Sequence, residues 1–355
     1  MCQTVYPDKS LLSAQHIVAI SCVNVLISLA NISVNLLLIY GLWKLQLTKT
    51  ASYKFILFLC VSDCCVGLFP QPLLAAKLLS KSPTQSTMCI LGIITQSLQA
   101  AFCQFSVIMI LIITMDRFLH MNYLTTYGRY MTKRRAVYLL VINIVTCLVI
   151  AIASMLASVY DCYFIIHTTL LGLNSAIITV IFIVYTRTYA SIRTRVKGLH
   201  LSSHSSTTLS GTLLTAATAM RIVDPKILNR RQQYHLNFAK AVIFVLLALG
   251  LCYLPYFAAV TVVTYWRFEK NNQLIFNGIR VSLLYWSLLL VYINPFLNGI
   301  ILMFSNKRLR RFITDMLCRS RTKSVQTAIQ QLQIVTLTKQ VPDAERKEQP
   351  AVLAL

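Results

Sequence analysis

The stretch FILFLCVSDCCVGLF, residues 55–69, sets a lone carboxylate, Asp63, in the middle of an apolar run that extends from 54 to 79. The hydrocarbon core of a bilayer takes about 20 helical residues, so this run is long enough to cross it. An ionisable side chain inside such a span is expensive and marks a functional site by default. The plainer alternative is a carboxylate kept protonated or hydrogen-bonded for packing.

Working outward, comparable runs fall at 17–43, 88–119, 136–160, 164–190, 238–263 and 275–303, with a tight connection at Val159–Phe164. The 355 residues are 57% hydrophobic and 12% charged, with a mean hydropathy of +0.66. A soluble domain carries about twice that charged fraction. The chain therefore reads as an all-α membrane protein, a seven-transmembrane helix bundle over 17–303 with an extracellular N-terminus at 1–16. In the stretch SNKRLRRFITDMLC, Ser305–Cys318, basic and apolar residues alternate at helical spacing. That pattern predicts a short amphipathic eighth helix at 304–318, lying on the inner leaflet, followed by a flexible cytoplasmic tail at 319–355. The Ser/Thr-rich Leu199–Ala217 reads as a flexible cytoplasmic loop.

The charge balance sets the orientation. Lys and Arg number 33 against 10 Asp and Glu, a net +23, which by itself suggests nucleic acid. So apolar a chain has little soluble surface for a basic face, and no nucleic-acid partner is expected. Sorted by loop, 27 of the 33 basic residues fall on one side of the seven spans. The positive-inside rule makes that side cytoplasmic. The protein is thus expected in the plasma membrane, multi-pass, with its N-terminus outside and its C-terminus in the cytoplasm.

Enzyme chemistry finds no footing: there is no metalloprotease motif, no glycine-rich phosphate loop and no Cys/His zinc cluster. No internal repeat suggests a transporter. Most of the 11 cysteines lie inside apolar runs and read as small buried hydrophobes. Asn35, Ser106 and Asn294 are polar residues at a depth comparable with Asp63, on separate spans. Together the four suggest a small polar, hydrated or cation-binding cavity. Asp116-Arg117 closes the third span, and Pro255 and Pro295 interrupt spans six and seven, each removing an intrahelical bond.

These residues together resemble the rhodopsin-like, class A family of G-protein-coupled receptors. Asn35 in SVNLLL is similar to that family's first-helix asparagine, and Asp63, 28 residues on, closes LCVSD like its LxxxD motif. Asp116-Arg117-Phe118 resembles DRY with Phe last. Cys252-Tyr253-Leu254-Pro255 resembles CWxP with tyrosine for the toggle tryptophan. Asn294-Pro295-Phe296-Leu297-Asn298 resembles NPxxY with asparagine for tyrosine, and Tyr189 is the inner tyrosine of helix five.

The resemblance implies an orphan receptor that passes a small-molecule, lipid or short-peptide signal to heterotrimeric G proteins, with arrestin and a receptor kinase as further partners in the lipid bilayer. It implies no cofactor beyond an allosteric sodium ion, held at Asp63, Ser106 and Asn294. It implies a disulfide between Cys89 and Cys162, the alternatives being free thiols or a pairing with Cys2. Cys318, by its place at the end of the amphipathic segment, is a candidate for palmitoylation, the alternative being an unmodified thiol. Ligand-pocket residues by this likeness are Gln99, Cys103, Tyr253, Arg280 and Tyr285. Gln99 and Leu288 replace the family's amine-binding aspartate and retinal-binding lysine, so a monoamine or retinal ligand is not expected. Arg117 is left with neighbouring Asp116 as its partner, because His235 stands where the family has an acid on helix six. The departures at Phe118, Tyr253, His235 and Asn298 support a second reading: a receptor-like protein with weak or lost coupling that is constitutively active or modulates another receptor.

Overall fold

The computed structural model describes residues 12–80, 85–123, 126–160, 163–205, 247–262 and 274–316, and every regular element among them is helical. In chain order these are α1 (Ala14–Lys44), a 3-10 turn (Leu47–Lys49), α2 (Ala51–Leu68), α3 (Pro70–Leu79), α4 (Gln85–Asn122), α5 (Tyr127–Tyr130), α6 (Lys133–Val159) and α7 (Tyr163–Ser205). α8 is described over Leu247–Val262, and α9 runs from Leu274 to Ser305. Among the described residues five spans are long and apolar enough to cross a membrane, with α2 and α3 counted as one; α7 and α8 each carry a shorter apolar stretch.

The helices are inside out relative to those of a soluble protein. On α1 the buried positions include Ser21, Asn24, Ser28, Asn31 and Asn35, whereas Val18, Leu26, Leu29 and Leu36 are exposed. Water would reward the reverse. In hydrocarbon the polar groups must find partners inside the bundle while apolar side chains face lipid at no cost. α6 repeats the pattern, burying Asn143, Ser154 and Ser158 and exposing Ile142, Leu148 and Val149. The chain is a multi-pass membrane protein built as an all-α bundle. α4 packs against α2, α3, α6 and α7, while α1 lies against α2, α3 and α9.

The ends of the helices follow local chemistry. Ser13 caps α1, accepting from the His16 amide at 3.3 Å, and Thr132 caps α6, accepting from Arg135 at 3.3 Å. Arg135 also donates to the carbonyls of Arg129 and Tyr130, closing α5 onto the start of α6.

Three expectations change. The run at 54–79 is two helices, broken at Phe69–Pro70, because Pro70 and Pro72 have no N–H for the preceding turn. The Ser28 hydroxyl donates to the Gly67 carbonyl in that turn at 2.8 Å. Conversely, α8 and α9 run on through Pro255 and Pro295 rather than being interrupted there. α7 extends through Ser205, so the part of Leu199–Ala217 up to that residue is helical rather than loop. Its 43 residues span about 65 Å, roughly twice a hydrocarbon core.

Two glycines allow close approach. A Cβ on Gly67 would lie 2.8 Å from Ile32 Cγ1 and 3.1 Å from the Ser28 carbonyl; one on Gly299 would lie 2.7 Å from Val34 Cγ1. The described residues 307–316 belong to a second unit and form a helix, here α10. Its Leu309 and Ile313 are buried and Lys307, Arg308, Arg310 and Arg311 exposed, an amphipathic division at helical spacing. Cys318 lies outside the described residues.

Candidate functional site

α4 carries polar groups at three levels. Gln96 to Gln104 occupy its N-terminal half, Ser106 its middle and Asp116 its C-terminal end. At 1.5 Å per residue, Gln99 and Asp116 are about 25 Å apart along the axis.

At the middle level Asp63 is wholly buried. The Ser106 hydroxyl donates to Asp63 Oδ1 at 2.9 Å, and Asn298 Nδ2 donates to Oδ2 at 3.4 Å. One carboxylate thus ties α2, α4 and α9 together. Asn294 and Asn298 are each 1% exposed, and the Oδ1 of each has no protein partner. A carboxylate, a hydroxyl and neutral amide oxygens form a hard, oxygen-only donor set, which suits a small monovalent cation better than a transition metal. The residues present fit the implied sodium ion. Among the described residues no group of three or more His, Cys, Asp or Glu gathers for a metal.

Beside this node runs a polar seam that sequence reasoning missed. Asn35 Nδ2 donates to the carbonyls of Asn31 and Pro295 at 3.0 and 3.4 Å. Asn31 Nδ2 donates to Gln71 Oε1 at 2.8 Å and to the Tyr292 carbonyl at 2.9 Å. Asn24 Nδ2 donates to the Gln71 carbonyl at 2.7 Å. The Tyr292 hydroxyl reaches Gln99 Oε1 at 3.2 Å, which links the seam to the N-terminal half of α4. The signal was present: Asn24, Ser28, Asn31 and Asn35 recur at intervals of four, three and four, one face of a helix. Gln71 carried no such signal, because its position depends on the break at Pro70.

At the C-terminal end of α4 Asp116 is also wholly buried, and its two oxygens accept from Ser52 Oγ at 2.5 Å and Tyr127 Oη at 2.6 Å. The carboxylate's described bonds therefore go to α2 and α5, not to Arg117. Adjacent helical residues point about 100° apart and do not face each other. Burial, then the hydrogen bond to Asp116, pushes the Tyr127 phenol up to about 12. The Tyr127 ring meets His120 edge-on, with centroids 4.8 Å apart. Arg117 and Phe118 are half-buried. Neither Ser52 nor Tyr127 was legible in the sequence, since each lies in an unremarkable polar stretch.

In the N-terminal half of α4 a cavity opens, with about 50 Å³ available to water-sized molecules. The expected pocket residues Gln99, Cys103 and Tyr253 line it, and the Tyr253 hydroxyl hydrogen-bonds the Cys103 sulfur. Arg280 and Tyr285 are not in its wall; Tyr285 is wholly buried and Arg280 half-buried on α9. Gln96, Gln104, Ser154 and Asn174 join the wall from α4, α6 and α7. Among the described residues that line the cavity, none is charged. Cys252 is buried beside Tyr253, and the Tyr253 and Phe257 rings lie 6.0 Å apart.

Cys89 is disulfide-bonded; Cys162, its expected partner, lies outside the described residues, as do His235 and Cys2. Tyr189 sits on α7, but its side chain is outside the description.

Residues 34–302 match the family model described as 7 transmembrane receptor (rhodopsin family), which covers well over half of the chain. No curated protein matches the sequence.

Proposed function

The chain belongs to the rhodopsin-like family of seven-transmembrane receptors, and from that premise we propose that it is a G-protein-coupled receptor. It takes an extracellular small molecule, lipid or short peptide between its helices and acts on a heterotrimeric G protein at its inner face. The family is a receptor class rather than an enzyme class. The observation that carries the reading is the Asp63 node, where one buried carboxylate holds α2, α4 and α9 between the cavity and the Asp116 site. A shift of α9 against α4 at the cavity has to strain or break those bonds.

The remaining parts of the reading are consistent with that node. Seven spans with the N-terminus outside give the basic loops to the cytoplasm, where Arg117 and the inner ends of α4 and α7 form the coupling face. Arrestin and a receptor kinase act on the Ser/Thr-rich loop and tail. The disulfide joins Cys89 to Cys162, and Cys318 at the end of the amphipathic segment is the lipidation site. Sodium, when bound at Asp63, Ser106 and Asn294, supplies a positive charge that neutralises the buried carboxylate.

A second reading is favoured by Asn298, which contacts Asp63 directly where the family has a tyrosine. A short amide held there has no phenol to offer an active arrangement. The chain is then a receptor of weakened coupling that signals constitutively or modulates another receptor.

The test is expression in cells reporting cAMP, calcium and arrestin recruitment, with and without pooled metabolites and peptides, against Arg117→Ala. Signals above mock-transfected cells that vanish in Arg117→Ala support coupling. Responses that persist unchanged in that variant refute the assigned mechanism, and silence in every channel at normal surface expression leaves the second reading.

A further inference from the structure

Gln96, Gln104, Ser154 and Asn174 are 4, 2, 2 and 8% exposed. Each keeps one polar atom with no protein partner: Gln96 Oε1, Gln104 Nε2, Ser154 Oγ and Asn174 Oδ1. They come from three helices, α4, α6 and α7, and all four residues line one cavity. Buried polar atoms are ordinarily paired, and four left open around one space are complementary to something that fills it.

The chemistry of the occupant follows from the wall. With no charge among the described lining residues, an ammonium or carboxylate would enter without a counter-ion from them and lose its hydration. The open atoms are an N–H donor at Gln104, carbonyl acceptors at Gln96 and Asn174, and a hydroxyl able to do either. Their complement is one carbonyl acceptor joined to N–H donors, the pattern of a carboxamide, urea or lactam. Ile166 and Leu170 add an apolar side. The cavity holds such a head group but is far below the roughly 300–1,000 Å³ of a whole-ligand site, so the apolar body of a larger molecule requires the helices to part.

We infer that this cavity recognises an uncharged, amide-bearing ligand; the inference rests on the receptor reading and specifies its ligand class. The competing occupant is a cluster of ordered waters, for which the space is also large enough.

The experiment uses the full chain in lipid nanodiscs and three isosteric probes: cyclohexanecarboxamide, cyclohexanecarboxylate and cyclohexylmethylammonium. The readouts are thermal unfolding and the rate of Cys103 alkylation by a membrane-permeable maleimide, followed by peptide mass. The carboxamide is expected to raise the unfolding temperature with dose and slow Cys103 alkylation, while the two ions do neither. Gln104→Met and Asn174→Leu, close in shape and apolar, each weaken the carboxamide about five- to tenfold, as loss of one hydrogen bond does. Equal effects from all three probes, or none from any, overturn the inference and assign the cavity to water; Cys103 protection in the unaltered chain decides this even if a variant fails to fold. Both readouts omit the G protein. Selective carboxamide binding without signalling in any G-protein assay therefore counts against the receptor reading alone, and signalling without selectivity counts against the amide site alone.

Discussion

Removing the phenol that holds Asp116 isolates the site at the C-terminal end of α4. In Tyr127→Phe the ring keeps its edge contact with His120, and Asp116 Oδ1 loses a 2.6 Å hydrogen bond while Oδ2 keeps Ser52. A hydrogen bond to a charged group contributes about 1.5–3 kcal/mol. Tyr127 is only half-buried, so the lower end applies, about 1.5 kcal/mol or a factor of about ten in an equilibrium. The bond belongs to the described conformation, and losing it moves population out of that state. With that state as the silent one, basal nucleotide exchange on G protein rises up to about tenfold at matched surface expression. Ser52→Ala acts on the same carboxylate, so the double variant falls short of the sum of the singles.

The pH dependence is a further check. The phenol is raised from 10.0 to about 12, so its contribution to stability is fully present below about pH 10 and is lost as the pH rises through about 12. The difference between Tyr127→Phe and the parent in a thermal-unfolding assay is therefore constant from pH 6 to 9. Basal exchange and unfolding temperature both unchanged in Tyr127→Phe would refute the assignment of this bond as a latch.

Asn31→Leu strands Gln71 Oε1 in the seam and removes the extra donor to the Tyr292 carbonyl, which keeps its helical partner. It is expected to cost about 1–3 kcal/mol for the group left unpaired, read as lost surface expression and a shorter half-life in detergent. Adding Gln71→Leu recovers part of that loss by removing the stranded acceptor; no recovery in the pair would show that the two side chains are not energetically linked. Gly67→Val drives side-chain atoms into Ile32 and the Ser28 carbonyl and is expected to cost about 1–3 kcal/mol as overpacking. Gly128→Val, where a Cβ meets nothing within 4 Å, serves as the neutral comparison, and equal surface-to-total ratios for the two would contradict the close α1–α2 approach.

Asp63, Ser106 and Asn298 show how far local reading reached. A carboxylate inside an apolar span announces itself, and the residue types around it were readable from spacing along their own helices. That Asn298 donates directly to Asp63 was not readable, because it depends on the distance between two helices 235 residues apart in sequence. Gln99 and Tyr253 were placed in a pocket by likeness, yet Gln96, Gln104, Ser154 and Asn174, which complete its wall, passed unremarked. Each is an ordinary polar residue until three helices bring them to one space. Asp116 was recognised, and its partners were not, because Ser52 and Tyr127 lie 64 and 11 residues away on other elements.

Composition and hydropathy alone settled that this chain lives in a membrane as helices. Hydrocarbon admits only helices and closed barrels, and continuous apolar runs of about 20 residues or more lack the short alternating strands of a barrel. The distribution of 27 basic residues on one side supplied an expected orientation, because charge is costly to carry across. The tertiary structure decided how the buried polar residues pair: which amide faces which carbonyl, where Pro70 breaks a span so that Gln71 turns inward, and which four polar atoms are left open around the cavity. Hydrogen bonds are short-ranged and directional, so their partners are set by helix position and rotation to within about an ångström. A pattern along one strand of sequence does not carry that information.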